Sequence, residues 1–386
     1  MKAVVYGLAR SGRAAAARLE ERGDEVTRVD RSLGNEDDLA VLEGADVLVK
    51  SPGVPGEQPL VEAARARGVP VWSELELGWR LLEPTGAHFV AVTGTNGKST
   101  TTELLGAIFR AAGRDSVVAG NIGTPLTSVA SADWVACEVS SFQLEDVHEF
   151  ACDVAVLLNL EPDHIDRHGS FEAYRDAKLR IFDRAAVAVV PRGFGIEGIE
   201  FSAEDKLPAE PLIRGAHNRE NAAAATAAAR ATGVADDAIA EALRTFPGIR
   251  HRLELIGEVG GVRYVNDSKA TNVAAALRGL AAYADEPVHL ILGGSLKGES
   301  FEPLADAIGP NVLSVHLIGE AAGEIARVLG DRLFDRDGTL ANAVSHAAEL
   351  ADRGEVVLLS PACASYDQYD NFEQRGDEFR ALVAAL

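Results

Sequence analysis

Short strand-like runs alternating with alanine-rich helical stretches fill this chain from end to end, and no other feature limits its fold so tightly. A run such as Lys-Ala-Val-Val-Tyr at 2–6 is apolar on both faces, so helices must cover both sides of the sheet it joins. Further runs lie at 25–30, 47–49, 89–92, 134–139, 154–158, 288–292, 312–317 and 356–359. Helices are expected at 171–183 and 236–244, and the alanine tract at 222–231 reads as a tightly packed helix. The pattern predicts an α/β protein with parallel sheets. At ~150 residues per domain, 386 residues exceed a single core. Glu83-Pro84-Thr85-Gly86 and Phe246-Pro247-Gly248 break helices at two points. They divide the chain into three expected domains, 1–86, 87–247 and 248–386.

Composition removes several function classes. With 37 basic and 59 acidic residues the formal charge is −22, which repels nucleic acid phosphates and argues against a nucleic acid partner. An anionic ligand then needs a locally basic or metal-assisted site. Cys137, Cys152 and Cys363 are too few and too scattered for a disulfide framework or a zinc cluster. No segment approaches 18 uninterrupted apolar residues, and the N-terminus lacks a signal-peptide pattern. The expectation is a cytoplasmic protein with no membrane span.

In the first segment, Gly7-Leu8-Ala9-Arg10-Ser11-Gly12 follows a strand and opens a helix, and Asp30 ends the next strand. The spacing resembles G-x-G-x-x-G with alanine at the middle glycine, a turn whose amides face a diphosphate at a helix N-terminus. Ser51-Pro52-Gly53 is another possible phosphate-facing turn. Taken alone, the pattern fits a nicotinamide-dependent dehydrogenase, or a bare packing device. In the second segment a strand leads into Thr93-Gly94-Thr95-Asn96-Gly97-Lys98-Ser99-Thr100 and then a helix, a variant phosphate loop with Val92 where the generic pattern has glycine. Its amides would cradle phosphates, Lys98 supplies a point charge, and the Ser99 hydroxyl can reach Mg2+. Glu138 ends a strand 40 residues after Lys98, where it is either a magnesium ligand or a solvated acid. His164 reads as a loop histidine or a second ligand, and Lys178 as a solvated helix residue.

The loop at 93–100, Gly120-Asn121-Ile122-Gly123, Glu138-Val-Ser-Ser-Phe-Gln, Asn159 with Asp163-His164-Ile-Asp166, and Tyr174 with Lys178 together resemble the central domain of the Mur ligases, which build the peptide stem of the bacterial cell wall. His217-Asn218-Arg-Glu-Asn221, Arg250-His251-Arg252, Asn266-Asp267-Ser268-Lys269-Ala-Thr271-Asn272, 360–365 and 371–376 are similar to the D-glutamate-adding branch of that family.

The resemblance implies three α/β domains: an N-terminal Rossmann-like UDP-binding domain, a central P-loop-type ATPase domain and a C-terminal Rossmann-like domain. It implies an ATP-dependent ligase joining D-glutamate to UDP-N-acetylmuramoyl-L-alanine with ATP and Mg2+; the chain is expected to be a monomer. Addition of L-glutamate is the near alternative, and folylpolyglutamate synthases share the loop but lack a UDP-binding first domain. By carry-over, Gly7, Arg10, Ser11, Gly12, Asp30, Arg31, Ser51, Pro52, Gly53 and Asn121 hold the uridine diphosphate substrate. Gly94, Thr95, Asn96, Gly97, Lys98, Ser99, Thr100, Asn218, Asn221, Arg252, Asp267 and Lys269 serve ATP. Ser99, Glu138, His164 and Lys178, the last as a carbamate, bind Mg2+. Thr271, Lys297, Ser365 and Phe372 surround the glutamate, with His251 near the reaction centre. Only 38 residues separate Lys178 from His217, so a small sheet that relatives carry there is expected to be trimmed.

Overall fold

The computed structural model describes every residue except Lys297 and Asp331. Among the described residues three separate sheets form, and the chain divides into two compact units, 1–211 with 217–246, and 212–216 with 247–386.

The first unit contains two sheets. In the first, β1 (Lys2–Tyr6), α1 (Arg10–Glu21), β2 (Glu25–Val29), β3 (Val47–Lys50), α2 (Pro59–Ala66), β4 (Val71–Ser73) and α3 (Glu74–Leu82) follow in order. The strands run parallel in the order β2-β1-β3-β4. Gly7 makes the tight turn out of β1, with φ +88°. The second sheet starts with β5 (His88–Thr93), α4 (Lys98–Ala111), β6 (Ser116–Gly120), β7 (Trp134–Glu138) and α5 (Ser141–Leu144). It continues with β8 (Cys152–Leu157), α6 (Ile165–His168), α7 (Phe171–Leu179), β9 (Ala185–Pro191), β10 (Ile199–Phe201), α8 (Ala216–Ala231) and α9 (Asp236–Thr245). Its order is β10-β9-β8-β5-β7-β6, again parallel throughout. The short 178–217 stretch thus adds two strands to one side of this sheet, β9 beside β8 and β10 at the edge.

α3 ties the two sheets together. Ser73 caps it and its amide bonds Asp146 O at 2.9 Å. The buried Glu74 carboxylate takes the Thr127 amide and hydroxyl, both at 2.7 Å. Glu76 accepts the amides of His148, Glu149 and Phe150. At Gly78 a Cβ would lie 2.7 Å from Leu126, so the helix can approach only without one.

In the second unit the order is β11 (Glu254–Val259), β12 (Val262–Asn266), α10 (Val273–Ala281), β13 (Val288–Gly293), α11 (Glu302–Ala307) and β14 (Val312–Ile318). Then come α12 (Ala322–Leu329), β15 (Asp335–Gly338), α13 (Leu340–Leu350), β16 (Val356–Leu359) and α14 (Phe372–Ala384). The order β11-β12-β16-β13-β14-β15 is parallel except for the β11–β12 hairpin. One face packs Leu290, Leu292, Val315 and Leu317 against α10 to α12, and the other packs Ile291, Ile318, Val357 and Leu359 against α13 and α14.

The α/β class and the parallel sheets agree with the sequence. β4, β6, β9, β10, β11, β12 and β15 were not expected. β4 and β10 are three residues long and β15 reads Asp-Arg-Asp-Gly, so neither length nor apolar pattern marks them. The hairpin did carry a signal: Gly260-Gly261, both at positive φ, join two strands in a two-residue turn. The helix expected at 171–183 ends at Leu179, where a tighter turn over Arg180–Phe182 takes over. Among the described residues no helix is long and apolar enough to cross a membrane.

Candidate functional site

The richest cluster lies where β5, β7 and β8 end, at the carboxyl edge where parallel α/β sheets place their ligands. The loop after β5 turns through Gly94 (φ +154°) and Gly97 (φ +82°), which caps α4. A Cβ at Gly97 would sit 2.2 Å from the Asn221 Oδ1, so the loop and α8 meet here at a distance only glycine permits. Asn218 and Asn221 are both buried and bonded to each other at 3.3 Å.

Two lysines converge on one carbonyl. Lys98 Nζ donates to Gly94 O and Thr95 O, each at 2.9 Å, and Lys178 Nζ donates to Gly94 O at 2.8 Å. Lys178 is only 2% exposed and lies 4.8 Å from the centre of the Tyr174 ring. Burial, followed by the nearby Lys98 charge, pulls its pKa down to about 7. The solvated surface residue expected from spacing alone is therefore a buried amine.

Glu138 is buried at the end of β7. Its Oε1 accepts the Asn121 amide at 2.9 Å, while Oε2 is buried with no hydrogen-bond partner. An orphaned carboxylate oxygen is costly unless a cation completes it. His164 adopts a left-handed backbone (φ 52°), and its half-exposed ring packs 4.9 Å from Phe142. Among the described residues no three His, Cys, Asp or Glu side chains converge as a metal cage. The unpartnered Glu138 oxygen is the kind of donor Mg2+ takes, one or two carboxylates serving it together with substrate phosphates and water.

Residues outside the sequence-based site list support this loop. Asn159 accepts the Asn96 amide at 2.8 Å and returns its own amide to Asn96 O at 3.2 Å. The Asn96 side chain donates to Glu161 at 3.0 Å, and the Thr95 hydroxyl meets Tyr174 OH at 2.9 Å. The available signal was topological: β8 pairs with β5, so whatever follows β8 must face the loop. Ser99 is half-buried and Thr100 buried on the first turn of α4.

Around the first turn of the chain, the Ser51 hydroxyl donates to Gly7 O at 2.6 Å, and a Cβ at Gly12 would strike the same carbonyl. Asp30 accepts the Leu8 amide at 2.6 Å, which with its Ser32 bonds holds its carboxyl below the usual range. Ser51 and Asp30 therefore shape the turn, while Arg10, Arg31 and Gly53 are exposed and Ser11 and Pro52 half-buried at its mouth.

The second unit gathers its own set at the carboxyl edge of β12, β13 and β16. His251 is buried with φ +63°, and its ring meets Phe372 edge-on at 6.2 Å. Lys269 Nζ lies 5.8 Å from the Phe372 ring. Ser365 is buried, and Arg252 and Thr271 are half-buried. Asp267 turns inward, accepting the Ser360 hydroxyl at 2.7 Å and the Leu253 amide at 3.2 Å, and burial pushes its pKa up to about 7. Lys297 lies outside the described residues. Arg375, absent from the sequence-based list, is 1% exposed. It donates to Ser268 Oγ and to the carbonyls of Ser268, Gly293, Cys363 and Ala364, joining three loops through neutral acceptors.

Residues 92–194 match the family model of the Mur ligase middle domain, and residues 251–363 that of the Mur ligase glutamate ligase domain. The chain is 40% identical to the UDP-N-acetylmuramoylalanine–D-glutamate ligase of Myxococcus xanthus, covering 100% of this chain and 98% of that protein. It is 43% identical to the same ligase of Anaeromyxobacter dehalogenans, covering 99% and 97%. The first alignment spans 451 positions for 386 residues, so about 65 positions fall opposite gaps in this chain. Among solved structures, the UDP-N-acetylmuramate-alanine ligase of Thermotoga maritima shares the fold, with a TM-score of 0.63 at 18% identity over 100% of this chain and 99% of that one. The MurF ligase of Thermotoga maritima, solved with ADP, gives 0.59 at 18% identity over 90% and 91%.

Proposed function

The chain belongs to the Mur ligase family, and from that premise we propose that it joins D-glutamate to UDP-N-acetylmuramoyl-L-alanine, with ATP hydrolysed to ADP and phosphate, in peptidoglycan precursor synthesis. End-to-end similarity to ligases leaves the nicotinamide-dependent reading without support. In this reading residues 1–86 hold the uridine diphosphate substrate through the turn at 7–12 with Asp30, Arg31 and Ser51-Pro52-Gly53, and Asn121 assists. Residues 87–247 bind ATP, with Asn218 and Asn221 on the adenine side, and residues 248–386 bring Arg252, Asp267 and Lys269 to the nucleotide. Thr271, Lys297, Ser365 and Phe372 receive the glutamate.

A carboxylate does not condense with an amine in water because its leaving group would be oxide. Transfer of the γ-phosphoryl group to the alanyl carboxylate makes an acyl phosphate, and the amine displaces phosphate from it. The first step brings two anions together, so charge neutralisation and positioning dominate its barrier. Lys98 must leave the carbonyls of Gly94 and Thr95 to meet the phosphates. Mg2+, when bound, would neutralise phosphate charge, with Ser99, Glu138, His164 and Lys178 as its protein ligands. A Lys178 amine near neutrality can add CO2, losing a proton to become a carbamate, and so turn a cation into an oxygen donor suited to a hard metal.

The observation that carries this reading is the convergence of Lys98 and Lys178 on the Gly94 carbonyl of a phosphate loop, one of the two amines buried and close to neutrality. Phosphate release from ATP and UDP-N-acetylmuramoyl-L-alanine, measured with D-glutamate, L-glutamate and other amino acids, tests it. Release should require D-glutamate, and Lys98→Ala should lower it on the order of 100-fold without altering the circular dichroism spectrum. Phosphate release indifferent to the amino acid, or a preference for L-glutamate, would refute it.

A further inference from the structure

His251 is held by a group that appears in none of the roles above. Asn266, the last residue of β12, is fully buried. Its Oδ1 accepts the Ser268 amide at 3.1 Å, and its Nδ2 donates to Gly376 O at 3.0 Å. Turning the carboxamide over would set oxygen against the Gly376 carbonyl and NH2 against the Ser268 N–H. The two neighbours therefore dictate its orientation. The same Nδ2 lies 3.0 Å from Nδ1 of His251. An N–H aimed at Nδ1 requires that nitrogen to be the acceptor, so the ring proton sits on Nε2.

The ring has little freedom to escape this contact. The His251 amide donates to Glu254 at 2.9 Å, and its carbonyl accepts the Lys269 amide at 2.9 Å. Gly376 on α14 lies against the imidazole, where a Cβ would come within 2.1 Å of Nδ1. The charged groups around the ring are Asp377 and Glu373 on α14, Glu254 on β11, Arg250 beside it, and Lys269 after β12, with Asp377 Oδ1 at 3.7 Å from Nε2. Burial outweighs these carboxylates and pulls the imidazole pKa down, in keeping with a neutral ring.

We propose that Asn266 is a positioning residue that fixes His251 as the neutral Nε2–H tautomer, so that His251 donates a hydrogen bond at the glutamate step and does not take the amine's proton. This rests on the assignment of His251 to the reaction centre. In the step itself the free amine's lone pair forms the C–N bond while the C–O bond to phosphate breaks. Phosphate departs with that electron pair, and the surplus amine proton leaves with it as hydrogen phosphate. His251 gains and loses nothing.

Nitrogen NMR of the full chain labelled at histidine reads the tautomer directly, with His251→Gln identifying the resonance. At pH 7 the native protein should show a bare Nδ1 and a protonated Nε2. Asn266→Asp places a carboxylate against Nδ1, which should move the proton there and raise the ring's pKa by ~1 unit or more. The same variant should lose on the order of tenfold in kcat while KM for ATP stays within about threefold. Asn266→Ala should leave both tautomers populated. A native ring protonated on Nδ1, or a tautomer unmoved in Asn266→Asp and Asn266→Ala, would overturn the proposal. Full turnover in His251→Gln alongside the expected tautomer would overturn instead the placement of His251 at the reaction, and with it the donor role.

Discussion

At the scale of single residues, Lys178 shows how far environment departs from residue type. Its spacing on α7 suited a solvated lysine, and only the family resemblance gave it a chemical role. The fold supplies the physical reason by closing α7 over the phosphate loop, where the amine has a carbonyl and an aromatic ring for company and is almost wholly shielded from solvent. With a pKa near 7 against an ordinary 10.5, the amine is predominantly neutral above pH 7. Below it, the neutral fraction falls about tenfold per pH unit. Scrubbing CO2 from the buffer at pH 7.5 should slow phosphate release by the native enzyme, and added bicarbonate should restore it. Lys178→Ala should be slow under both conditions. A native rate indifferent to CO2 would reduce Lys178 to a buried packing group. Glu138 was legible in a different way: its position at a strand end followed from the sequence, but its orphaned Oε2 did not.

Among the elements, α3 does what no motif announced. Ser73 before an acidic first turn is a legible helix start. That Glu74 and Glu76 would point into the second sheet's loops, and not into solvent, depends on residues 50 to 75 positions away. Burial raises the Glu74 carboxyl from 4.5 to about 6. Because the folded value exceeds the unfolded one, its contribution to stability is fully present below about pH 4.5 and is lost as pH rises through about 6. The loss is about 2 kcal/mol, at roughly 1.4 kcal/mol per unit. Urea unfolding of the native protein and Glu74→Gln at pH 4.5 and 7.5 should show the native chain losing about that much more than the variant. Equal losses in the two proteins would place Glu74 in water. The β11–β12 hairpin is the opposite case, written plainly in Gly260-Gly261 yet antiparallel in a chain whose alternation favours parallel pairs.

Across the whole molecule, the second compact unit has a core of its own on each face of its sheet, and the first has separate cores around its two sheets. Heating should produce two calorimetric transitions. Arg375→Met removes five hydrogen bonds, four to carbonyls and one to the Ser268 hydroxyl, from the interior of the second unit. The cost is about 3 kcal/mol, and it should lower one transition on the order of 10 °C while leaving the other in place. A single transition, or a common shift of both, would contradict it. What the sequence determined by itself is everything carried by local pattern: strand and helix periodicity, the glycine positions of the phosphate loop, and the family motifs with their order. Tertiary structure alone decided which groups lose water and which face one another. Lys178 becomes a near-neutral amine, Glu138 keeps an unpaired oxygen, and Asn266 sets the proton of His251, because desolvation and hydrogen-bond direction depend on neighbours that are distant along the chain.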